Sequence, residues 1–154
     1  MVSLLLSTSL LVSAGPKQKK VDNWIDASVK QKSELRASLV KANMPIMSAW
    51  IKAKQKAVPM SADLTGQDQL VLVTAAGPDG TDWDWGTWAN ARLIKADGSS
   101  VWLDELDPDY WVSGSNSIRK NTDLYGNPLL IGGKKYDHSV LCHANGVMVY
   151  NINK

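Results

Sequence analysis

Three kinds of residue are scarce in this chain of 154 amino acids, which has no phenylalanine, one cysteine and two histidines. With Cys142 as the single cysteine, no disulfide can form within the chain, and a metal site of the Cys-x-x-Cys kind is excluded. A lone cysteine beside a strand usually packs as a small apolar side chain. We therefore interpret Cys142 as a packing residue, although His138 and His143 are candidate bases nearby in the sequence.

The chain also has no large excess of positive or negative charge. The chain has 17 basic and 15 acidic residues, a formal net charge of +2. That balance argues against a nucleic-acid partner, which requires a strongly basic surface. The apolar stretch at the start of the chain is too short for a spanning helix and no other stretch qualifies, so the sequence predicts no membrane span.

The aromatic residues that are present have an unusual balance, with seven tryptophans and four tyrosines. Tryptophan is well suited to bind sugars, because the indole face stacks on the C–H side of a pyranose ring while its N–H can still donate a hydrogen bond. For any single tryptophan the alternative is a place in the core. The composition therefore raises sugar binding as a hypothesis that needs a site.

The beginning of the chain has the pattern of a secretory signal. Residues 2–15 contain a short apolar core, and Val12-Ser13-Ala14 is a small-x-small cleavage sequence. We predict a signal peptide over residues 1–16 and a protein that is secreted, periplasmic or on the cell surface. No basic residues precede the apolar core, and the alternative is a buried first strand or helix.

The following segment has a helical period. Val21, Ile25 and Val29 fall on one face, which predicts a helical segment over residues 17–56 that is interrupted near Pro45. No catalytic spacing occurs in it, so a connecting or capping role is expected.

From Val58 onwards apolar residues recur with a period of two, which is typical of strands. Strands are predicted within 59–64, 69–74 and 87–94, with a loop at 75–86. The most informative stretch is 126–145. It predicts an apolar strand at 128–131, a turn at Gly132-Gly133 and a second strand that ends in a polar loop, because glycine supplies the positive φ of a two-residue turn.

Another strand is predicted at 102–106, followed by Trp111, and a last one at 147–150. This order of elements resembles the NPCBM/NEW2 family of carbohydrate-binding modules, which occur appended to glycoside hydrolases such as those of family 98. A typical member has a Tyr/Trp-Leu-Ser/Asp-Asp/Glu-Leu strand, an aromatic residue, a Gly-x-Pro-Leu-x-Ile/Leu-x-Gly-x-x-Tyr hairpin, a His-Ala turn and a Tyr-x-Leu strand. The counterparts are 102–106, Trp111, 126–136, His143-Ala144 and Val149-Tyr150. Ser139 and Leu141 stand where the family usually has glycines.

An earlier part of the chain resembles the end of the same modules. The matching residues are Leu64-Thr65-Gly66, 70–73, Asp84 and 88–91. The β segment at 57–95 thus resembles a closing half and the β segment at 100–154 an opening half. Two arrangements explain this order. The first, which we favour, is a degenerate module followed by a second module that is truncated at Lys154. The second is a single permuted sandwich.

The resemblance implies a mainly β fold, namely a galactose-binding-like jelly-roll β-sandwich that is partial or permuted. In this chain the helical segment would precede the sandwich.

The loop at 75–86 holds the residues with the clearest chemistry. Asp79, Asp82 and Asp84 form an oxygen-rich group, which predicts a calcium site as one hypothesis and simple turn chemistry as the other. Trp83 and Trp85 share a side at period two, so one of them is expected to face solvent as a platform for a sugar.

Asp84 lies between these tryptophans and is a candidate sugar ligand, while Trp88 is expected in the core. The resemblance adds His143, and Asn145 beside it, as candidate sugar-contacting residues. For His143 a structural hydrogen bond that fixes the loop is the favoured role. No catalytic residues are predicted, because carboxylates that are sequence neighbours, as in the run at 104–109, rarely face each other across a scissile bond.

The resemblance implies a secreted bacterial, non-catalytic module that binds a polysaccharide or glycan and adjoins a catalytic domain. Calcium is the one cofactor that the sequence suggests. One alternative is a fragment of a glycosidase, such as an alpha-galactosidase, whose catalytic domain lies beyond Lys154. The other is a scaffold module that binds no sugar.

Overall fold

A computed structural model of the protein describes residues 2–6, 10–14, 46–52, 54–77 and 79–152. These residues form antiparallel strands and one short 3-10 helix, Leu103–Glu105. The strands are β1 Val2–Leu6, β2 Leu10–Ala14, β3 Ile46–Met47, β4 Val58–Ala62, β5 Gln69–Thr74, β6 Trp85–Ile94, β7 Ser100–Trp102, β8 Tyr110–Val112, β9 Ile118–Lys120, β10 Leu129–Ile131, β11 Lys134–Tyr136, β12 Ser139–His143 and β13 Gly146–Asn151. The mainly β prediction is confirmed.

The strands form two large sheets and one hairpin. The first sheet has the order β4-β1-β6-β12-β9, with β7 pairing with the end of β6. The second has the order β3-β2-β5-β13-β8. The remaining two strands, β10 and β11, form the hairpin.

The two sheets share one hydrophobic core. Leu70 and Leu72 of β5 enter it from the second sheet and Trp88 of β6 from the first, all fully buried. The other buried members are Met60, Ala62, Ala91, Leu103, Val140, Cys142, Met148 and Tyr150. Burying one large apolar side chain contributes about 1.5–3 kcal/mol, so this cluster is the main source of stability in the described part of the chain.

A smaller cluster attaches the hairpin to the first sheet. Leu129, Ile131 and Tyr136 of the hairpin pack against Ala89 of β6. The turn at Gly132-Gly133 has φ values of 56° and 81°, in the left-handed region that glycine tolerates. The predicted hairpin and its turn are therefore confirmed.

The predicted strand at 102–106 ends earlier than expected, at Trp102. Residues 103–105 turn into the 3-10 helix, in which Leu106 N donates to Leu103 O at 3.2 Å. The Glu105 carboxylate accepts a hydrogen bond from Trp102 N at 3.2 Å and so competes with strand pairing at this point. The turn also buries Leu103 in the core.

The helical prediction for 17–56 is wrong for the described residues 46–52 and 54–56. Ile46–Met47 is a strand that pairs with β2, and the described residues at 48–52 and 54–56 contain no helix. The Gln55 side chain accepts a hydrogen bond from Lys52 N at 2.8 Å, which fixes an isolated turn instead. Residues 17–45 lie outside the described residues.

The segment predicted to be a signal peptide contains two strands of the sheets. β1 lies between β4 and β6, and β2 lies between β3 and β5. This placement matches the alternative of a first strand; cleavage and secretion stay predictions. In the described part of the chain no helix is long and apolar enough to cross a membrane.

Strands of the two segments that resemble module halves pair with each other. β5 pairs with β13 from Leu70↔Tyr150 to Thr74↔Gly146, and β6 pairs with β12. These ladders join 57–95 to 100–154 within the same sheets. The truncated tandem and the permuted sandwich both stay predictions. The jelly-roll arrangement stays a prediction.

A single permuted sandwich predicts from the sequence that Leu70, Leu72, Trp88, Leu130 and Val149 share one core. Leu70, Leu72 and Trp88 do so. Leu130 is not part of this core, because it is 65% exposed on the hairpin. Val149 is not part of it either, because its buried side chain lies on the other side of β13 by strand alternation.

Deletion of residues 1–16 tests the role of β1 and β2. Because each is an inner strand, we expect the full chain to melt in one cooperative transition and the chain starting at Lys17 to lose it. Differential scanning calorimetry of both proteins measures this. Equal melting curves would contradict the placement of these strands and would support removal of the segment as a signal peptide.

Candidate functional site

The loop between β5 and β6 is folded by its own polar groups. The Asp84 carboxylate accepts a hydrogen bond from Gly77 N at 2.9 Å, which closes the loop across seven residues. Asp84 N donates to Thr81 O at 3.2 Å, and Trp85 N donates to Trp83 O at 3.0 Å. These bonds fix the path of the chain on both sides of Trp83.

Trp83 has an unusual backbone conformation and an exposed side chain. Its φ is 65°, in the left-handed region, and its side chain is 77% exposed. A bulky residue with this backbone conformation is a genuine outlier, because Cβ crowds the following carbonyl at a cost of roughly 1–2 kcal/mol. Strained residues of this kind cluster at ligand-binding sites. The loop thus presents an indole ring to solvent in a defined direction.

Trp83 borders an open cleft with a volume of about 1130 Å³. Three parts of the chain line this cleft: residues between Ala75 and Thr87 of the loop and the start of β6, residues 50–52, 54 and 55, and residues 129–133 of the hairpin. We call these the loop wall, the lysine wall and the hairpin wall. The lysine wall carries Lys52 and Lys54, whereas the loop wall carries Asp79, Asp82 and Asp84.

Trp85 lies at the base of the loop wall and contacts His143. Their ring centroids are 4.9 Å apart with the planes at 86°, an edge-to-face arrangement. One of the two loop tryptophans was expected to face solvent, and Trp83 is that residue while Trp85 is half-buried. Trp88 is fully buried in the core, as predicted.

His143 and Asn145 hold the loop wall in place. Nδ1 of His143 lies 2.6 Å from Ala144 O, so it donates this hydrogen bond, and His143 N donates to Ser113 Oγ at 3.0 Å. Asn145 Oδ1 accepts from Ala76 N at 2.9 Å, and Ala144 N donates to Asp84 O at 2.8 Å. This turn therefore connects the β12–β13 junction to both ends of the loop.

Of the predicted sugar-contacting residues, the structure places Trp83, Trp85 and Asp84 along the cleft, whereas His143 and Asn145 are not among its lining residues. The geometry thus supports the structural role for His143.

The calcium site stays a prediction, and the observed contacts favour the second hypothesis of turn chemistry. Asp79, Asp82 and Asp84 all lie in the described residues, in which no three His, Cys, Asp or Glu side chains form a group that could hold a metal ion. The physical reason is that the Asp84 carboxylate bonds to the Gly77 amide, which is the simple turn chemistry of the second hypothesis.

The acidic run at 104–109 is used in structural contacts. The Asp104 carboxylate is 5% exposed and accepts hydrogen bonds from His138 Nδ1 at 3.0 Å and Asn121 Nδ2 at 2.9 Å. Asp107 pairs with Lys120 at 2.7 Å, and Asp109 accepts from Asn151 N at 2.7 Å. These carboxylates are dispersed among different partners.

Two features were missed from the sequence. His138 stacks on Trp102 with centroids 4.3 Å apart and planes at 9°, and the Arg92 guanidinium lies 5.4 Å from the centre of the same indole. Trp50 is 40% exposed and lines the cleft, although its spacing suggested a helix. No local signal identifies either feature, because both depend on contacts between distant segments.

Comparison with known families identifies a domain over nearly the whole chain. Residues 11–94 and 99–154 match the family model described as the NPCBM/NEW2 domain. No curated protein and no solved structure matches the chain.

Two substitutions at Trp83 test the strained backbone. Trp83→Asn and Trp83→Ala both remove the ring, but asparagine tolerates positive φ better than alanine. We expect the asparagine variant to be more stable by about 1 kcal/mol, or about 2–4 °C in Tm. Thermal denaturation followed by circular dichroism measures the difference. Equal stability of the two variants would mean that the backbone at this position is relaxed.

The thiol of Cys142 is expected to be inert. Burial raises the pKa of Cys142 to about 11, partly offset by its contact with Thr74 Oγ1 at 3.2 Å. At pH 8 the folded protein should react with a thiol reagent more slowly than the unfolded chain by about 100-fold or more, because the thiolate is the nucleophile. Absorbance with a disulfide reagent, with and without guanidinium chloride, measures this. Rapid labelling of the folded protein would contradict the buried placement.

Proposed function

Since the chain belongs to the NPCBM/NEW2 domain family, a family of carbohydrate-binding modules, we propose that it binds a glycan in the cleft beside Trp83 and carries out no catalysis itself. In this proposal the protein is a secreted bacterial module with a galactose-binding-like jelly-roll fold. It would keep an attached glycoside hydrolase close to its polysaccharide, which raises the local enzyme concentration through tethering.

The observation that carries the proposal is the exposure of Trp83. An indole that is 77% exposed on a strained backbone is unfavourable for stability alone, and a ligand that covers its face offsets that cost. A pyranose ring has a C–H face that fits this role and hydroxyl groups that remain available to polar neighbours.

The polar neighbours suit those hydroxyl groups. Asp79 and Asp82 are exposed carboxylates on the loop wall, and Lys52 and Lys54 are exposed ammonium groups on the lysine wall. Sugar hydroxyls can donate to the former and accept from the latter. Because charges of both signs line the cleft, a neutral polyhydroxylated ligand is favoured over a strongly charged one.

Two alternatives are less well supported. A scaffold module that binds no sugar gives no reason for the exposed indole of Trp83. Glycoside hydrolysis within the cleft would require two carboxyl groups placed roughly 5–9.5 Å apart on either side of a glycosidic bond, and the cleft carboxylates all belong to one wall. Any hydrolase activity is therefore assigned to an attached domain, such as an alpha-galactosidase domain.

A glycan array followed by titration calorimetry tests this function. We expect weak binding to hexose-terminated glycans, with galactose as the first candidate, because each ring buries little area. Trp83→Ala should weaken binding by about tenfold, or about 1.4 kcal/mol, while its exposed position leaves folding intact. Trp85→Ala should also weaken binding, but its contact with His143 requires a parallel stability measurement.

Trp111→Ala is the matched control, because Trp111 is 39% exposed on β8 and does not line the cleft. Unchanged affinity in both loop variants would show that this loop is not part of the binding site. Absence of binding to any glycan would favour the scaffold alternative.

A further inference from the structure

We propose that the cleft binds a chain of at least two sugar residues, with Trp83 on the loop wall and Trp50 on the lysine wall as two separate stacking platforms. This inference rests on the proposed function and adds the class of ligand, namely a neutral oligosaccharide rather than a single terminal sugar. It adds Trp50 as a second sugar-contacting residue.

The size of the cleft is the first argument. Its volume of about 1130 Å³ lies above the roughly 300–1,000 Å³ that is common for pockets holding drug-sized ligands. A single hexose has about 12 non-hydrogen atoms, far fewer than such ligands, and would leave most of the cleft in contact with water. Several linked rings fill the space better.

The position of the two indoles is the second argument. Trp83 and Trp50 are 77% and 40% exposed, and both line the cleft although more than thirty residues separate them in the sequence. They belong to different walls, so they offer two separate indole faces to a bound sugar chain. Two linked rings of one chain can each cover one indole.

The lysine wall is also fixed in place, which a binding surface requires. Gln55 N donates to Lys52 O at 3.2 Å, and Lys52 N donates to the Gln55 side chain at 2.8 Å, so the segment forms a closed turn. Ala57 then packs against the hydrophobic cluster under the hairpin.

The tip of the hairpin packs closely against the end of the lysine wall. A Cβ atom added at Gly132 would lie 3.1 Å from Lys56 Cα and 3.4 Å from Gln55 O, whereas at Gly133 it would meet no atom within 4 Å. Both glycines have positive φ, so an alanine at either position strains the turn. An alanine at position 132 would in addition displace the lysine wall.

Affinity as a function of ligand length is the first test. Titration calorimetry would use galactose, galactobiose and galactotetraose, with glucose, cellobiose and cellotetraose as a second series. We expect wild-type affinity to increase on the order of tenfold from the monosaccharide to the tetrasaccharide, equivalent to about 1.4 kcal/mol. Trp50→Ala should remove this increase but retain monosaccharide binding, and Trp83→Ala should weaken every ligand.

Trp111→Ala serves as the control, since it removes an indole of nearly the same exposure outside the cleft. Wild-type affinity that does not depend on length, or a Trp50→Ala variant with an unchanged length dependence, would overturn the inference while leaving the proposed function intact. Absence of binding to all six sugars and to the glycan array would overturn both.

The glycine pair gives a second, independent test. Gly132→Ala should lower tetrasaccharide affinity by several-fold more than Gly133→Ala, with monosaccharide affinity similar in the two variants. Melting temperatures of both variants separate displacement of the wall from general destabilisation. Equal tetrasaccharide affinity in two folded variants would show that the lysine wall does not contact the ligand.

Discussion

Antiparallel pairing between the two halves of the chain is the constraint on which the described structure depends. β5 pairs with β13 and β6 with β12, so each large sheet contains strands from both halves. The core follows from this pairing, since Leu72 of one half and Met148 of the other are directly opposite in register and both buried. Neither half could bury its apolar residues alone, because the facing partners would be missing.

The same pairing creates the candidate site. The turn at 143–145 joins β12 to β13, and its hydrogen bonds to Ala76 and Asp84 fix both ends of the loop between β5 and β6. That loop then carries Trp83 with its strained backbone towards the cleft. The candidate site is therefore held by the sheets rather than by the loop alone, which would preorganise it for the proposed ligand. The hairpin contributes by packing its tip on the segment that bears Trp50.

Local patterns predicted the strands well where two signals agreed. Residues 69–74 contain a continuous apolar run from Leu70 to Val73 without a breaker and form β5, which is buried on both faces, and the Gly132-Gly133 turn joins β10 and β11. Predictions failed where a local pattern was overridden by tertiary contacts. Ile46, Trp50 and Ile51 have a helical spacing, but Ile46 joins a sheet edge and Trp50 lines a cleft. Residues 102–106 read as one strand, yet Leu103 turns into the core.

The sequence by itself determined the mainly β class, the hairpin, the family resemblance and the pair Trp83 and Trp85 as candidate platforms, since each depends on residues close together along the chain. Only the tertiary structure decided that Trp83 is the exposed one of the pair. The tertiary structure alone likewise decided that strands of the two halves pair with each other, that the Asp84 carboxylate bonds to the Gly77 amide, and that His143 contacts Trp85. It also brought Trp50 to the cleft. These outcomes depend on contacts between distant residues, whose geometry is set by sheet register and core packing rather than by local preference.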